Sequence, residues 1–274
     1  MILHVHTPSG FLGRYVESLT SYSGYNPDHR MEKLLPDASV NLVIALDEIR
    51  RYTFNNDDLT KKTKCIKAWV SGMQTSFITL SAEKNSSMFV IRFRPGGSYP
   101  FFHMPTDELS NLVIDAELIF GREILSLRDQ LMEAGTCASQ FRLVEQWLLQ
   151  RIRTEDLAES VVGFAVARIN ATGPLDIPAL VSKTGYSQKH VIHLFKRHVG
   201  LTLKLFHRVV RFNRVLHEID IREEVDWSTI VHDCGFYDQA HFVNEFSHFS
   251  GINPTRYLTE RGVYPNYVPI PAKR

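Results

Sequence analysis

The stretch "GYSQKHVIHLFKRHVG" runs from Gly185 to Gly200, and "GFYDQAHFVNEFSHFSG" runs from Gly235 to Gly251. Each opens on a glycine and an aromatic residue. Each then places a histidine, a phenylalanine five residues on, and a glycine five residues after that: His190, Phe195, Gly200 and His241, Phe246, Gly251. The echo extends upstream, where "DIPALVSKTGY" (176–186) lies over "DWSTIVHDCGF" (226–236). Asp176 and Asp226 stand where helix N-caps belong. Pro178 falls in a first turn, where its missing N–H costs little. Ile177, Leu180 and Val181 recur as Trp227, Ile230 and Val231, spaced i, i+3, i+4 for one buried face. Gly185 and Gly235 then end that helix.

A second helix follows each glycine, with Ser187 able to cap the first. Val191, Leu194 and Phe195 form its inward stripe, leaving Gln188, Lys189, Ile192, His193 and Lys196 outside. In the second copy Phe242, Phe246 and Phe249 point in, and Gln239, Ala240, Val243, Asn244 and Ser247 point out. A short helix, a glycine turn and a second helix with a polar outer face make a helix-turn-helix, which presents its second helix to the DNA major groove. Between the copies "LKLFHRVVRFNRVLHEI" (203–219) is amphipathic, with Leu205, Phe206, Val209, Val210, Phe212, Val215, Leu216 and Ile219 inward. At about 1.5 Å per residue it forms a rod of roughly 25 Å. With the flanking units, that suits two recognition helices about one DNA turn, roughly 34 Å, apart.

"IPALVSKTGYSQKHVIHLFKRHVGLT", the linking helix and "TIVHDCGFYDQAHFVNEFSHFSGINPTRY", closing on Gly251, Pro254, Arg256 and Tyr257, resemble the DNA-binding domain of AraC/XylS-type transcriptional regulators. The resemblance covers about 100 residues of the chain and implies a sequence-specific regulator whose recognition helices read successive major grooves. It implies base contacts at Gln188, Lys189, Ile192, His193, Gln239, Val243 and Asn244. Asn side chains suit adenine, and Ile192 suits a thymine methyl. Lys196, Arg197 and Lys204 are the phosphate candidates. His190 and His241 adjoin the apolar stripe and read as packing. The sequence departs from the family's small alanine at Val181 and Val231. It also carries Glu245, Ser247 and His248 where the family's second recognition helix ends in a basic cluster, which implies a weaker hold on phosphate.

The N-terminal half reads differently. "SVNLVIALD" (39–47), "KAWVSGMQ" (67–74), "SFITLS" (76–81) and "MFVIRFRPGG" (88–97) predict strands, with "RYTFNNDDLT" as a turn between two of them. In the last strand Phe89, Ile91 and Phe93 alternate with Val90, Arg92 and Arg94, the period of a sheet with one apolar face. "TDELSNLVIDAELIFG", "REILSLRDQLMEAG" and "SQFRLVEQWLLQRI" predict a helical connector, the first helix capped by Thr106. Phe141, Val144, Trp147, Leu148 and Ile152 suit either a dimer face or an intrachain core. "EDLAESVVGFAVARINATG" is a further helix, ended by Gly173-Pro174. This half resembles, more loosely, the cupin-like sensor domain of one AraC-type subgroup, a small β-barrel for a ligand or an oligomer contact. The expected fold is α+β multidomain. A cupin-like β-barrel with helical connector occupies 1–153, an all-α domain with two helix-turn-helix units occupies 154–260, and an extended tail occupies 261–274.

The 274 residues suffice for two domains, and hydrophobic residues at 44% with charged residues at 22% fit a soluble globular class. No apolar run approaches the roughly 20 residues of a membrane span, and "MILHVHTPSG" lacks the pattern of a secretion signal, so the cytoplasm is the expected compartment. Residues 1–150 hold 15 Lys+Arg against 17 Asp+Glu, net −2, and residues 151–274 hold 16 against 13, net +3. That balance permits DNA binding without demonstrating it. Cys65, Cys137 and Cys234 show no metal or redox spacing and read as small buried side chains. His4-x-His6 lacks the further ligands a barrel metal site needs, so no metal or cofactor is expected. Pro95-Gly96-Gly97 is not a phosphate loop. Arg92 and Arg94 share a strand face that suits solvent or an anionic effector. No catalytic triad or dyad stands out, so an enzyme is not expected. The expected partners are an operator duplex, a small-molecule effector, a second copy, and RNA polymerase for an activator. Two alternatives are a metal-dependent cupin enzyme tethered to DNA, and a DNA-binding module with no small-molecule ligand.

Overall fold

Alternating apolar and polar side chains build the N-terminal half. The computed structural model describes residues 1–154, 156–171 and 175–271. The first ten strands are β1 (Ile2–His6), β2 (Val16–Tyr25), β3 (Met31–Leu34), β4 (Val40–Ala45), β5 (Arg51–Phe54), β6 (Lys62–Cys65), β7 (Ala68–Ser71), β8 (Ile78–Ser81), β9 (Ser86–Phe93) and β10 (Val113–Asp115). They pair antiparallel, in the order β1-β2-β9-β4-β7-β10 in one sheet and β3-β8-β5-β6 in the other. Phe89, Ile91 and Phe93 of β9 are fully buried, as the alternation requires, and meet Leu19 of β2 and Leu42 and Ile44 of β4 in the core. The strands form two antiparallel sheets rather than the expected barrel: among the described residues no ladder closes them into one.

Two stretches differ from expectation. "RYTF" is strand β5, because Thr53 and Phe54 pair with β8 and the whole segment pairs with β6. Residues 106–121 hold a 3-10 turn (Thr106–Leu109), strand β10 and a short helix rather than one long helix. Thr106 is buried instead of capping. The β-branched pair Val113-Ile114 finds backbone partners on β7, and a paired edge outcompetes a marginal helix.

The helices so far are α1 (Tyr99–Phe102), α2 (Glu117–Phe120), α3 (Glu123–Glu133) and α4 (Cys137–Arg151). The apolar face of α4 serves the intrachain core. Val144 and Leu148 are fully buried, Phe141 stacks on His6 and packs against Phe89, and Trp147 packs edge-on against Phe120.

The C-terminal half is α5 (Asp156–Asn170), α6 (Ile177–Ser182), α7 (Gln188–Val199), α8 (Leu203–Ile221), α9 (Trp227–Asp233), α10 (Gln239–Ser250) and α11 (Pro254–Glu260). The expected stop at Gly173-Pro174 lies outside the described residues. Caps set the boundaries. Asp176, Ser187, Thr202, Asp226, Asp238 and Asn253 each accept from a backbone N–H two or three residues on, worth about 1 kcal/mol apiece. Gly200 and Gly251 end α7 and α10 in the left-handed conformation at φ 98° and 68°.

The tail is extended but docked. Residues Tyr267–Ile270 form β11, which pairs antiparallel with β3 and extends the second sheet to five strands. Pro269 is tolerated because β11 is an edge. β11 therefore rests on the N-terminal half.

Candidate nucleic-acid interface

Packing of the two helix-turn-helix units decides which side chains face out. Val191 and Phe195 of α7 are buried, Phe195 against Phe206 of α8; on α10 Phe246 and Phe249 bury against Phe212 of α8, Phe246 also meets Tyr257 of α11, and Phe242 packs on Trp227 of α9. The 19-residue α8 between them spans about 28 Å. Its Leu203, Phe206, Val209, Val210, Phe212, Val215, Leu216 and Ile219 are buried along its length.

With those stripes inside, Gln188, Lys189 and His193 of α7 stand exposed, and Ile192 is half-buried. On α10 Gln239 and Asn244 are exposed and Val243 is half-buried. Gln188, Ile192 and His193 thus recur in the second unit as Gln239, Val243 and Asn244. A cleft of about 240 Å³ lined by Trp227, Gln239, Phe242, Val243, Asn253, Pro254 and Thr255 lies beside this face. His190 stacks on Tyr186 and His241 meets Phe236 edge-on, so both pack.

The cationic candidates divide. Lys204 is exposed on the first turn of α8. Lys196 lies 3.2 Å from Asp107 of the 3-10 turn, and Arg197 Nε donates to the Tyr99 hydroxyl at 3.0 Å, its guanidinium over the ring. Both are engaged by the N-terminal half. His198 stacks on the same tyrosine at 3.9 Å, and the Ser110 hydroxyl donates to the Gly200 carbonyl.

The end of α10 is gripped in parallel fashion. Lys33 of β3 donates to the carbonyls of Ser250 and Gly251 at 3.4 and 3.3 Å and sits over the Phe77 ring. Gly251 rests so close to Phe77 that a Cβ would fall 2.2 Å from its ring. Burial, then the charge of Arg256, holds the Lys33 ammonium below its ordinary pKa. Asn213 of α8 donates to the Pro36 carbonyl, and Tyr15 donates to Glu159 of α5. The C-terminal ends of both recognition helices are thus seated on the N-terminal half.

Glu245, the departure from the basic pattern, is the carboxylate of a clamp. It accepts from Arg208 at 2.9 and 2.6 Å and from Arg211 at 3.2 Å, tying α10 to α8. Burial works to raise its pKa, and the hydrogen bonds and charges of the two arginines outweigh it, so the carboxyl lies below its ordinary value. The sequence reading missed Arg208 and Arg211. Their signal was the i, i+3 spacing on one face of α8. Asp107, Tyr99, Lys33 and Phe77 carried no local signal.

Elsewhere, Arg92 answers Asp37 at 3.0 Å and Glu17 at 3.3 Å, while Arg94 is exposed with its Nε on the Gly13 carbonyl. His6 pairs with Glu145 at 2.9 Å. No cluster of three or more metal-type ligands occurs among the described residues. Cys65 and Cys234 are buried, burial pushing both thiols up to about 11, and Cys137 is half-buried. No helix among the described residues is long and apolar enough to cross a membrane.

Residues 180–260 match the model of a helix-turn-helix domain, and residues 4–115 match a domain of unknown function (DUF6597). No curated protein matches the chain. Among solved structures, ToxT from Vibrio cholerae is similar at 13% identity, over 88% of this chain and 97% of that one, with a TM-score of 0.47. The C-terminal domain of AraT, a response regulator from Geobacillus stearothermophilus, is similar at 14% identity over 41% and 91%, with a TM-score of 0.35. Two helix-turn-helix units on one linking helix, each with an exposed polar face, define a DNA-binding transcriptional regulator. The matched helix-turn-helix model runs from within α6 through α11, and so spans both recognition helices and the linking helix between them.

Proposed function

We propose that this regulator reads an operator through Gln188, Lys189, Ile192 and His193 in one major groove and Gln239, Val243 and Asn244 in the next. The observation that carries the reading is the equivalence of the two outer faces, exposed at matching positions on helices joined by a rigid rod. Lys204 holds phosphate throughout. Lys196 and Arg197 hold phosphate only when they leave Asp107 and Tyr99. That exchange supplies the control. A signal that favours one seating of residues 1–153 on residues 154–260 shifts DNA affinity by its preference for that seating. Arg94, exposed on β9's flank, offers an anionic effector a charge, whereas Arg92 already answers two carboxylates. The regulator works in the cytoplasm, as a homodimer on its operator, without enzymatic activity of its own, and contacts RNA polymerase where it activates.

Hydroxyl-radical footprinting of the purified chain on duplex enriched from a random-sequence pool tests this. The expected pattern is two protected tracts about ten base pairs apart on one face. A single tract refutes two-groove reading.

A further inference from the structure

The two units are not identical in their turns. In the first, Gly185 is followed by Tyr186 and then the cap Ser187. In the second, Gly235 is followed by Phe236, Tyr237 and then the cap Asp238. The repeat therefore lengthens by one residue, and the side chain it gains is Tyr237. The aromatic rings that follow the two glycines both pack: Tyr186 stacks on His190, and Phe236 is buried beneath the Arg211 guanidinium, 4.3 Å from its ring centroid. Tyr237 does neither. It is 92% exposed and makes no hydrogen bond with other described residues.

The backbone that presents it is fixed on both sides. Phe236 N–H donates to the Val231 carbonyl, Arg211 donates to the Gly235 carbonyl, and the Asp238 side chain caps His241 N–H at 2.7 Å. Tyr237 immediately precedes the N-cap of α10, and the N-terminal end of a recognition helix is the end that enters the groove. A side chain there meets the sugar-phosphate wall beside the groove. The helix behind it has no lysine or arginine at all, and its Glu245 is spent inside the protein. A neutral donor beside the start of α10 can hold the backbone where that helix offers no lysine or arginine.

We propose that Tyr237 is a positioning residue for DNA. Its phenol O–H donates to a phosphate oxygen at the edge of the second major groove, and its ring rests on the adjoining sugar. The contact fixes how deeply α10 sits, and so how well Asn244 and Gln239 reach base edges. The proposal rests on α10 entering the major groove.

The test compares wild type, Tyr237→Phe, Tyr237→Ala and Asn244→Ala on the enriched duplex, by affinity across a salt series and by phosphate-ethylation interference. Tyr237→Phe and Tyr237→Ala are expected to bind about ten-fold more weakly, the scale of a hydrogen bond to a charged group. The slope of log affinity against log salt stays unchanged, because no cation is lost. Interference at one phosphate flanking the second tract disappears in both variants. Wild-type affinity and an unchanged interference pattern in both tyrosine variants, with Asn244→Ala still relaxing the second tract, overturn the proposal and leave the two-groove reading intact. Absence of a second tract in the wild type removes that reading and the proposal with it.

Discussion

The Glu245 carboxylate on the second recognition helix and the Arg208 guanidinium on the linking helix form a two-point pair, at 2.9 and 2.6 Å. Arg211 adds a third hydrogen bond from the same helix. The position that departs from a basic pattern thus fixes the angle of α10 against α8, the geometry on which reading two grooves depends.

Glu245→Gln keeps the shape and removes the charge. It should cost about 2 kcal/mol, less than a fully buried pair because Arg208 remains 37% exposed. Because the folded-state pKa is depressed from 4.5, this stabilisation is present above that ordinary value. It is lost as pH falls below about 4.5, through the folded value. Urea melts of wild type and Glu245→Gln from neutral to acidic pH check this. Equal stability at neutral pH would show that the clamp contributes nothing.

Asp107→Asn releases Lys196 from a half-exposed pair whose own worth is under about 1 kcal/mol. Stability should barely move. DNA affinity at low salt should rise several-fold, and the salt slope should steepen by up to about one unit as Lys196 engages phosphate. Fluorescence anisotropy across salt concentrations measures both. An unchanged slope would mean that Lys196 never reaches phosphate.

Glycine-to-alanine substitutions separate turn from seam. Gly235 has φ 70° with open space around it, so Gly235→Ala should cost only the left-handed strain, about 1 kcal/mol. Gly251 has φ 68° and also faces Phe77, so Gly251→Ala should cost about 3 kcal/mol or unseat the domains. Denaturation with small-angle scattering distinguishes these, and equal costs would place Phe77 elsewhere.

Val268 is 1% exposed on β11, the strand that returns to β3. Val268→Ala should cost about 2 kcal/mol in lost methyl burial and cavity. It should also increase proteolysis of the tail and self-association through the bared β3 edge. A tail as protease-resistant as wild type would show that β11 is held by its backbone alone.

The helical half was legible because its information is local. Gly185, Gly235, the Asp and Ser caps and the buried phenylalanines each act within a turn or two of where they sit. Strands β4, β7 and β8 were legible from their Val, Ile, Phe and Leu content, and β9 from alternation. β1, β2, β3, β5 and β6 were not, because strands such as Val16–Tyr25 and Lys62–Cys65 lack an apolar period. Residues 106–121 misled because Leu109, Val113 and Ile114 fit a helical spacing until β7 offers a partner. The tail was legible as extended, but its docking was not, because β11 pairs with β3 from the other end of the chain. The grip on Lys196, Arg197 and Gly251 joins residues 89 to 218 positions apart, and no pattern along the chain encodes such contacts.

The central claim is that two equivalent outer faces read bases. The most direct measurement is selection from random duplex DNA with wild type, His193→Ala and Asn244→Ala in parallel. The account predicts a site of two blocks about one helical turn apart, with His193→Ala relaxing one block and Asn244→Ala the other. A site of one block, or two blocks untouched by either substitution, would contradict it.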